Sequence, residues 1–266
     1  MGLLSKQVHR RVCETGLMDL SFIIPAYNEA ARIEASLTKA LEYFAKQSYT
    51  CEILVVDDGS RDGTPGIVQR HEGQGLRLIQ QPRNMGKGAA VRRGMLEGVG
   101  MKRIFSDADF STPITETSRM LDTLEQYDVG IGSRAIDSSY IRKHQPWYRE
   151  SMGKMFNKLV QILAVPGIMD TQCGFKGFRG YAADDIFRRT KIDGFSFDVE
   201  VLFLARRLGY TMKEIPVEWY NDDRSTLNPI SDSIRMFREL LKIRSLHRDM
   251  EPRSARPADG KERAHR

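Results

Sequence analysis

The chain has 266 residues, enough for one large α/β domain with a sizeable core. Hydrophobic residues make up 41% and charged residues 29%, an ordinary globular balance. The formal net charge of +6 suits anionic ligands or a membrane surface and is too mild for a protein that wraps nucleic acid, so no nucleic-acid partner is expected.

Residues 1–17 lack the apolar core of a signal peptide and read as an N-terminal leader. Asp19 to Tyr27 reads as a buried strand. Asn28 is positioned to cap the helix after it, whose apolar face is Ile33, Leu37, Leu41 and Phe44. Cys51 to Asp57 is a second buried strand, closed by a turn at Asp58-Gly59-Ser60. Thr64 opens a short helix, and Leu76 to Gln80 is a third strand. Gly86 to Val99 forms a Gly-rich helix, and Lys102 to Ser106 a fourth strand. Asp128 to Ser133 is a fifth strand. A basic stretch over 134–158 follows, with Arg134, Arg142, Lys143, Arg149, Lys154 and Lys158 against Asp137 and Glu150. Phe197 to Leu208 is a helix, Thr211 to Val217 a strand, and Ser231 to Leu246 a basic amphipathic helix. Residues 249–266 are charged and apolar-poor, and are expected to be disordered.

Strands alternating with helices predict a mostly parallel, doubly wound sheet in a single domain over 18–230, with the amphipathic helix over 231–248 beyond it. Ligands of such sheets bind beyond the carboxyl ends of the strands. Three polar clusters fall at those ends: Pro25 to Glu29, Asp57 to Ser60 and Asp107 to Asp109. No apolar run reaches the roughly 18 residues a membrane span needs. Cys13, Cys51 and Cys173 have no metal-knuckle spacing, which predicts a reduced, cytoplasmic protein.

The clusters carry chemistry. Asp107-Ala108-Asp109 puts two carboxylates at i and i+2 after a strand, oxygen donors suited to Mg²⁺ or Mn²⁺ on a diphosphate; the same tripeptide is also common in solvated turns. Asp57 is placed to accept hydrogen bonds from a base or ribose, while Ser60 and Asp62 are candidates to cap the next helix. In Arg83-Asn84-Met85-Gly86-Lys87-Gly88, glycines, a helix N-terminus and Lys87 would favour a phosphate. Neither GxxxxGK[ST] nor GxGxxG occurs. Asp198 and Glu200 are candidates for a sugar contact or general base, or else belong to the start of their helix. Asp170 suits a sugar contact or a turn cap. The five histidines show no ligand spacing, and His144 alone lies in a suggestive loop.

In order along the chain stand IPAYNE, VVDDGSRDGT, NMGKGAAVRRGM, DADFSTP, GSR, DTQCGFKGF and FSFDVEVL. This series resembles the family 2 glycosyltransferases of the GT-A fold from about Asp19 to Arg244, and within them is most similar to the dolichyl-phosphate glucose synthases and prokaryotic relatives. The resemblance implies inverting transfer of a hexose, glucose by preference, from a nucleotide sugar, UDP-glucose by preference, to a polyprenyl phosphate. It places Pro25, Tyr27, Glu29 and Asp57 in the base and ribose pocket, and Lys87, Asp107, Ala108 and Gln172 around the rest of the nucleotide sugar. Asp107 and Asp109 become the metal site, with Asp109, Arg134, Arg149 and Asp198 as the catalytic set and both arginines near phosphate. Where the family pattern has Gly-Ser-Lys, this chain reads Arg224-Ser225-Thr226.

The membrane would be met peripherally, on its cytoplasmic face. The helix over 231–246 offers an apolar face of Ile234, Phe237, Leu241 and Leu240, flanked by Arg235, Arg238, Lys242 and Arg244. The same face could instead pack on the domain. Transfer to a soluble hydroxyl acceptor, and nucleotide-sugar binding without catalysis, stay open as alternatives.

Overall fold

The computed structural model describes residues 17–137, 140–143, 165–220 and 229–250; for 141–143 and 229–237 it describes the backbone. The expectations for the leader, for Arg149 and His144, for Arg224-Ser225-Thr226 and for the tail beyond Met250 lie outside the described residues.

Seven strands form the main sheet: β1 (Leu20–Ala26), β2 (Cys51–Asp57), β3 (Leu76–Gln80), β4 (Lys102–Ser106), β5 (Val129–Ser133), β7 (Phe175–Arg179) and β8 (Met212–Pro216). Their order is β3-β2-β1-β4-β7-β5-β8. All neighbours pair in parallel except β7, which runs antiparallel between β4 and β5. The expected mostly parallel sheet is therefore present, with one strand reversed. Two short segments, β6 (Ile141–Lys143) and β9 (Trp219–Tyr220), pair separately.

The central strands β1 and β2 read as nearly continuous apolar runs because both faces of the sheet are covered there. Side chains alternate between the faces. Phe22 and Ile24 of β1 join Ile33, Leu37 and Phe44 of helix α1 (Ile33–Phe44) and Val68 of α2 (Thr64–Gln69). Ile23 faces the other way, onto Val91 and Met95 of α3 (Lys87–Glu97), and that layer continues through Phe178 and Phe197. Helix α4 (Glu116–Thr123) adds Met120 to the first face. Helices α5 (Gly180–Phe187) and α6 (Phe197–Arg207) add Ile186, Phe187, Val201 and Leu204 to the second.

Helix α7 (Pro229–Leu246) packs on this second face. Leu240 and Ile243 are buried, whereas Leu241 is 55% exposed. The expected stripe through Leu241 is thus corrected for the described side chains: the inward stripe is Leu240, Ile243 and His247, at i, i+3 and i+7. His247 is buried too, its Nε2 2.7 Å from Glu200 Oε1. The same carboxylate accepts the backbone N–H groups of Lys191 and Ile192, each at 2.9 Å. Lys191 Nζ donates to Leu246 O at 2.6 Å, and Arg207 Nε to Met250 O at 3.0 Å.

Glu200 is therefore a structural clamp, fully buried and turned away from the polar clusters, and the sequence-based candidacy as a base or sugar contact falls away. Glu200→Ala would strand three hydrogen-bonding groups and is expected to cost about 3 kcal/mol or more. Chemical denaturation measures this. A change below about 1 kcal/mol would contradict the clamp.

Candidate active site

Strand order reverses direction around β1, with β2 on one side and β4 on the other. The crevice beyond their carboxyl ends is where a doubly wound sheet binds ligands. The segments after β1, β2 and β4 line it.

The segment after β1 is sewn to the segment after β2. Asn28 adopts a left-handed conformation, with φ of 55°. Its N–H donates to Ser60 Oγ at 2.8 Å, and its Oδ1 accepts Arg61 N–H at 2.9 Å. Glu29 N–H donates to Thr64 Oγ1 at 2.7 Å, and Ala30 N–H to Asp62 Oδ2 at 3.1 Å. Asn28 is thus not the cap of α1, which starts at Ile33 with no side-chain cap; its amide is spent across the two loops. Asp62 does serve the start of α2, accepting Thr64 N–H at 2.9 Å. Pro25 is buried within β1, and Tyr27 is 40% exposed at its end.

Asp57 is buried, its carboxylate facing Ser60 N–H at 3.2 Å. Its neighbour Asp58 accepts from Gln81 Nε2 at 2.8 Å, Met85 N–H at 2.7 Å and Gly86 N–H at 2.9 Å. Burial pushes the Asp58 carboxyl up, and the two backbone donors only partly oppose it.

The Gly-rich segment departs from expectation. Gly88 N–H and Ala89 N–H both point at Asp193 O, at 2.8 and 3.3 Å. A Cβ on Gly86, whose φ is 104°, would lie 2.3 Å from that same oxygen. The glycines admit the protein's own 192–194 backbone, so the expected phosphate cradle at the start of α3 is already filled. The Lys87 side chain turns toward the crevice.

There its Nζ meets Asp107 Oδ1 at 2.5 Å. Burial lowers the Lys87 pKa, but Asp107, Asp198 and Asp109 together outweigh it and raise it. Asp107 is held from behind: its N–H donates to Gly174 O at 3.1 Å, and a Cβ on Gly174 would lie 2.0 Å from Asp107 Oδ2. Ala108 is buried, and Phe110 turns the chain with φ of 48°. Asp109 Oδ1 accepts Ser111 N–H at 2.9 Å, and Oδ2 lies 3.7 Å from Arg32 Nη1. Arg32 also binds Glu29, with Nη2 to Oε1 at 2.7 Å. Sequence reasoning missed Arg32, although a base three residues after Glu29 at a helix start was a usable signal.

Arg134 follows β5 and grips Asp170 by two parallel bonds, Nε to Oδ2 at 2.7 Å and Nη2 to Oδ1 at 2.9 Å. Its guanidinium sits 5.5 Å from the Trp219 ring centroid. Burial raises the Asp170 carboxyl, yet Arg134 holds it below the usual range. Asp170 N–H is anchored on Glu214 Oε1 at 2.9 Å. Gln172 lies next along, half-buried.

Beneath the crevice lies a lysine of the segment Gly174 to Phe178, which reads from sequence as a buried strand or a wall of the acceptor site without its ion pair. Lys176 of β7 is fully buried, donating to Asp198 Oδ1 at 2.5 Å and Cys173 O at 2.6 Å. The signal was a charge inside the apolar strand FKGFR. Asp198 is 4% exposed. Burial raises its carboxyl above the usual range despite Lys176 and Lys87. Burial also pushes the Cys173 thiol up to about 11, which makes it a poor nucleophile.

Asp107 and Asp109 offer carboxylate oxygens, donors of the kind that would suit a hard divalent ion. Among the described residues no three His, Cys, Asp or Glu side chains gather around one point. Two carboxylates, with phosphate and water completing the shell, is the usual pattern for Mg²⁺. Gly174→Ala is expected to push the Asp107 carboxylate aside and cost about 1–3 kcal/mol of stability. Thermal or denaturant unfolding checks this, and unchanged stability would mean that the β4–β7 junction yields freely.

Residues 21–187 match the family model "Glycosyl transferase family 2". A dolichyl-phosphate beta-glucosyltransferase from Dictyostelium discoideum is 37% identical over 241 residues, covering 85% of this chain and 73% of the relative. One from Saccharomyces cerevisiae is 35% identical, covering 85% and 74%. Glucosyl-3-phosphoglycerate synthase from Mycobacterium tuberculosis, solved with Mn²⁺, uridine diphosphate and glucosyl-3-phosphoglycerate, superposes with a TM-score of 0.65 at 16% identity, over 91% of this chain and 85% of that one. The sheet is that of the GT-A glycosyltransferases, and the chain belongs to glycosyl transferase family 2.

Proposed function

We propose that the protein transfers a glucosyl unit from UDP-glucose to a polyprenyl phosphate, with inversion at the anomeric carbon. The observation that carries this reading is the seating of Asp107 and Asp109 just beyond β4 at the β1/β4 crevice, with the Lys87 ammonium on Asp107. Relatives named for glucosyl transfer to dolichyl phosphate support the choice of sugar and acceptor. The solved neighbour that holds Mn²⁺ with uridine diphosphate supports a metal-borne nucleotide.

In this reading Tyr27 offers its exposed ring to the base, and Pro25, Glu29 and Asp57 shape the pocket behind it. Asp107 and Asp109 hold Mg²⁺ or Mn²⁺, which when bound offsets charge on the departing diphosphate. Lys87 faces the same phosphates, and Gln172 borders the donor sugar. Among the described residues Arg134 has Nε and Nη2 committed to Asp170, and Nη1 is the atom proposed to meet the acceptor phosphate, with Arg149 as its proposed companion.

A phosphate monoester has a second pKa of about 6, so the acceptor is largely dianionic at neutral pH. Its oxygen attacks the anomeric carbon, the bond from that carbon to the diphosphate breaks, and UDP leaves with the electron pair. No proton has to be removed first. That fits an Asp198 which is buried on Lys176 and serves to orient the lysines rather than to act as a base.

No helix among the described residues is long and apolar enough to cross a membrane. A lipid acceptor would be met peripherally, on the cytoplasmic face. Since Leu240 and Ile243 point inward, the outer side of α7, with Arg238, Leu241, Lys242 and Arg244, is the face offered to anionic lipid.

The test is transfer of radiolabelled glucose from UDP-glucose to polyprenyl phosphate, with and without Mn²⁺ or Mg²⁺, beside calorimetry of UDP binding. Asp109→Asn is expected to stay folded and to lose metal-dependent UDP affinity and transfer together. Unchanged metal-dependent UDP affinity in that variant would overturn the assignment of Asp109.

A further inference from the structure

Lys87 occupies the place where a cation is needed. Its ammonium is 2.5 Å from Asp107 Oδ1, in the cleft that also contains Asp109. The backbone at its root is rigid, because Gly88 and Ala89 donate to Asp193 O and Gly86 donates to Asp58. The four-carbon stem beyond that root is the mobile part. Asp107 has no equivalent freedom, since Gly174 blocks retreat on one side and its own N–H is tied to Gly174 O. A divalent ion reaching Asp107 must therefore displace the ammonium, rather than draw the carboxylate away from it.

The displaced ammonium needs another anion. Asp198 lies within its electrostatic reach, but that carboxylate is already bonded to Lys176. Asp109 is within reach too, but it is the second carboxylate of the same metal site. A diphosphate entering with the metal supplies the missing negative charge. We propose that Lys87 is a resident counter-cation that keeps bare metal off Asp107, so that metal and nucleoside diphosphate load together. The inference rests on the metal-dependent reading above and adds an order of assembly to it.

Mn²⁺ binding followed by electron paramagnetic resonance, with and without UDP, tests it without turnover. Wild type is expected to bind Mn²⁺ weakly alone and much more tightly once UDP is present. Lys87→Met should bind Mn²⁺ alone roughly tenfold tighter or more, the scale on which neighbours of metal ligands move metal affinity. In that variant UDP should add less to the Mn²⁺ affinity. Lys87→Gln, which keeps a hydrogen-bond donor but no charge, serves if Lys87→Met fails to fold, and Lys87→Arg should behave as wild type. If the neutral variants bind Mn²⁺ alone no tighter than wild type while UDP still recruits it, the counter-cation role is overturned and the metal site stands. If no form binds Mn²⁺ even with UDP, the metal reading itself fails and the counter-cation role fails with it.

Discussion

The carboxylate of Asp107 is the point on which the rest of the site turns. It is fixed by a missing side chain on one side, at Gly174, and by a charge on the other, at Lys87. The first of these contacts follows from strand β7 running against its neighbours. Because β7 is antiparallel to β4, its first residue, Phe175, pairs with Ser106, the last of β4. Gly174 is thereby delivered to the carboxyl edge of the sheet, beside Asp107. A parallel strand in that position would have brought its own carboxyl end there instead.

The same reversal buries Lys176 below the crevice. A lone ammonium in that position would carry a heavy desolvation cost. Asp198, from the first turn of α6, and Cys173 O offset it. Charges then alternate from the floor toward the mouth: Lys176, Asp198, Lys87, Asp107. A short way off, Arg134 and Asp170 form a second fixed pair, and Arg32 links Glu29 to Asp109. Charge-assisted pairs of this kind hold side chains in set directions and so prepare the crevice before any ligand arrives.

Much of this was legible from residues alone. The apolar runs of β1, β2 and β4 announced strands covered on both faces, and the acidic residues closing them announced a shared edge. Strand direction was not legible, since FKGFR composes the same way whichever direction it runs. The segment around Gly86 was misread for a related reason. Glycine marks close approach of backbone, without saying whether the approaching group is a phosphate or, as here, Asp193 O. The expected face of the amphipathic helix took in both Leu240 and Leu241, and packing buried the first, with Ile243, and left the second exposed. Glu200 and Asp198 are two residues apart in one helix turn. One clamps α7 to the domain and the other sits under the crevice, a division that helix geometry allows but spacing does not assign.

In the proposed reaction the acceptor phosphate is its own nucleophile, with Asp198 held on Lys176 rather than acting as a base. Single-turnover transfer from UDP-glucose to a short polyprenyl phosphate, set against the matching polyprenol, tests this most directly, in wild type and in Asp198→Asn. The expected result is an inverted glucosyl phosphodiester from the phosphate, little product from the alcohol, and transfer in Asp198→Asn that is reduced but retained. Efficient glucosylation of the alcohol with strict dependence on Asp198 would contradict it.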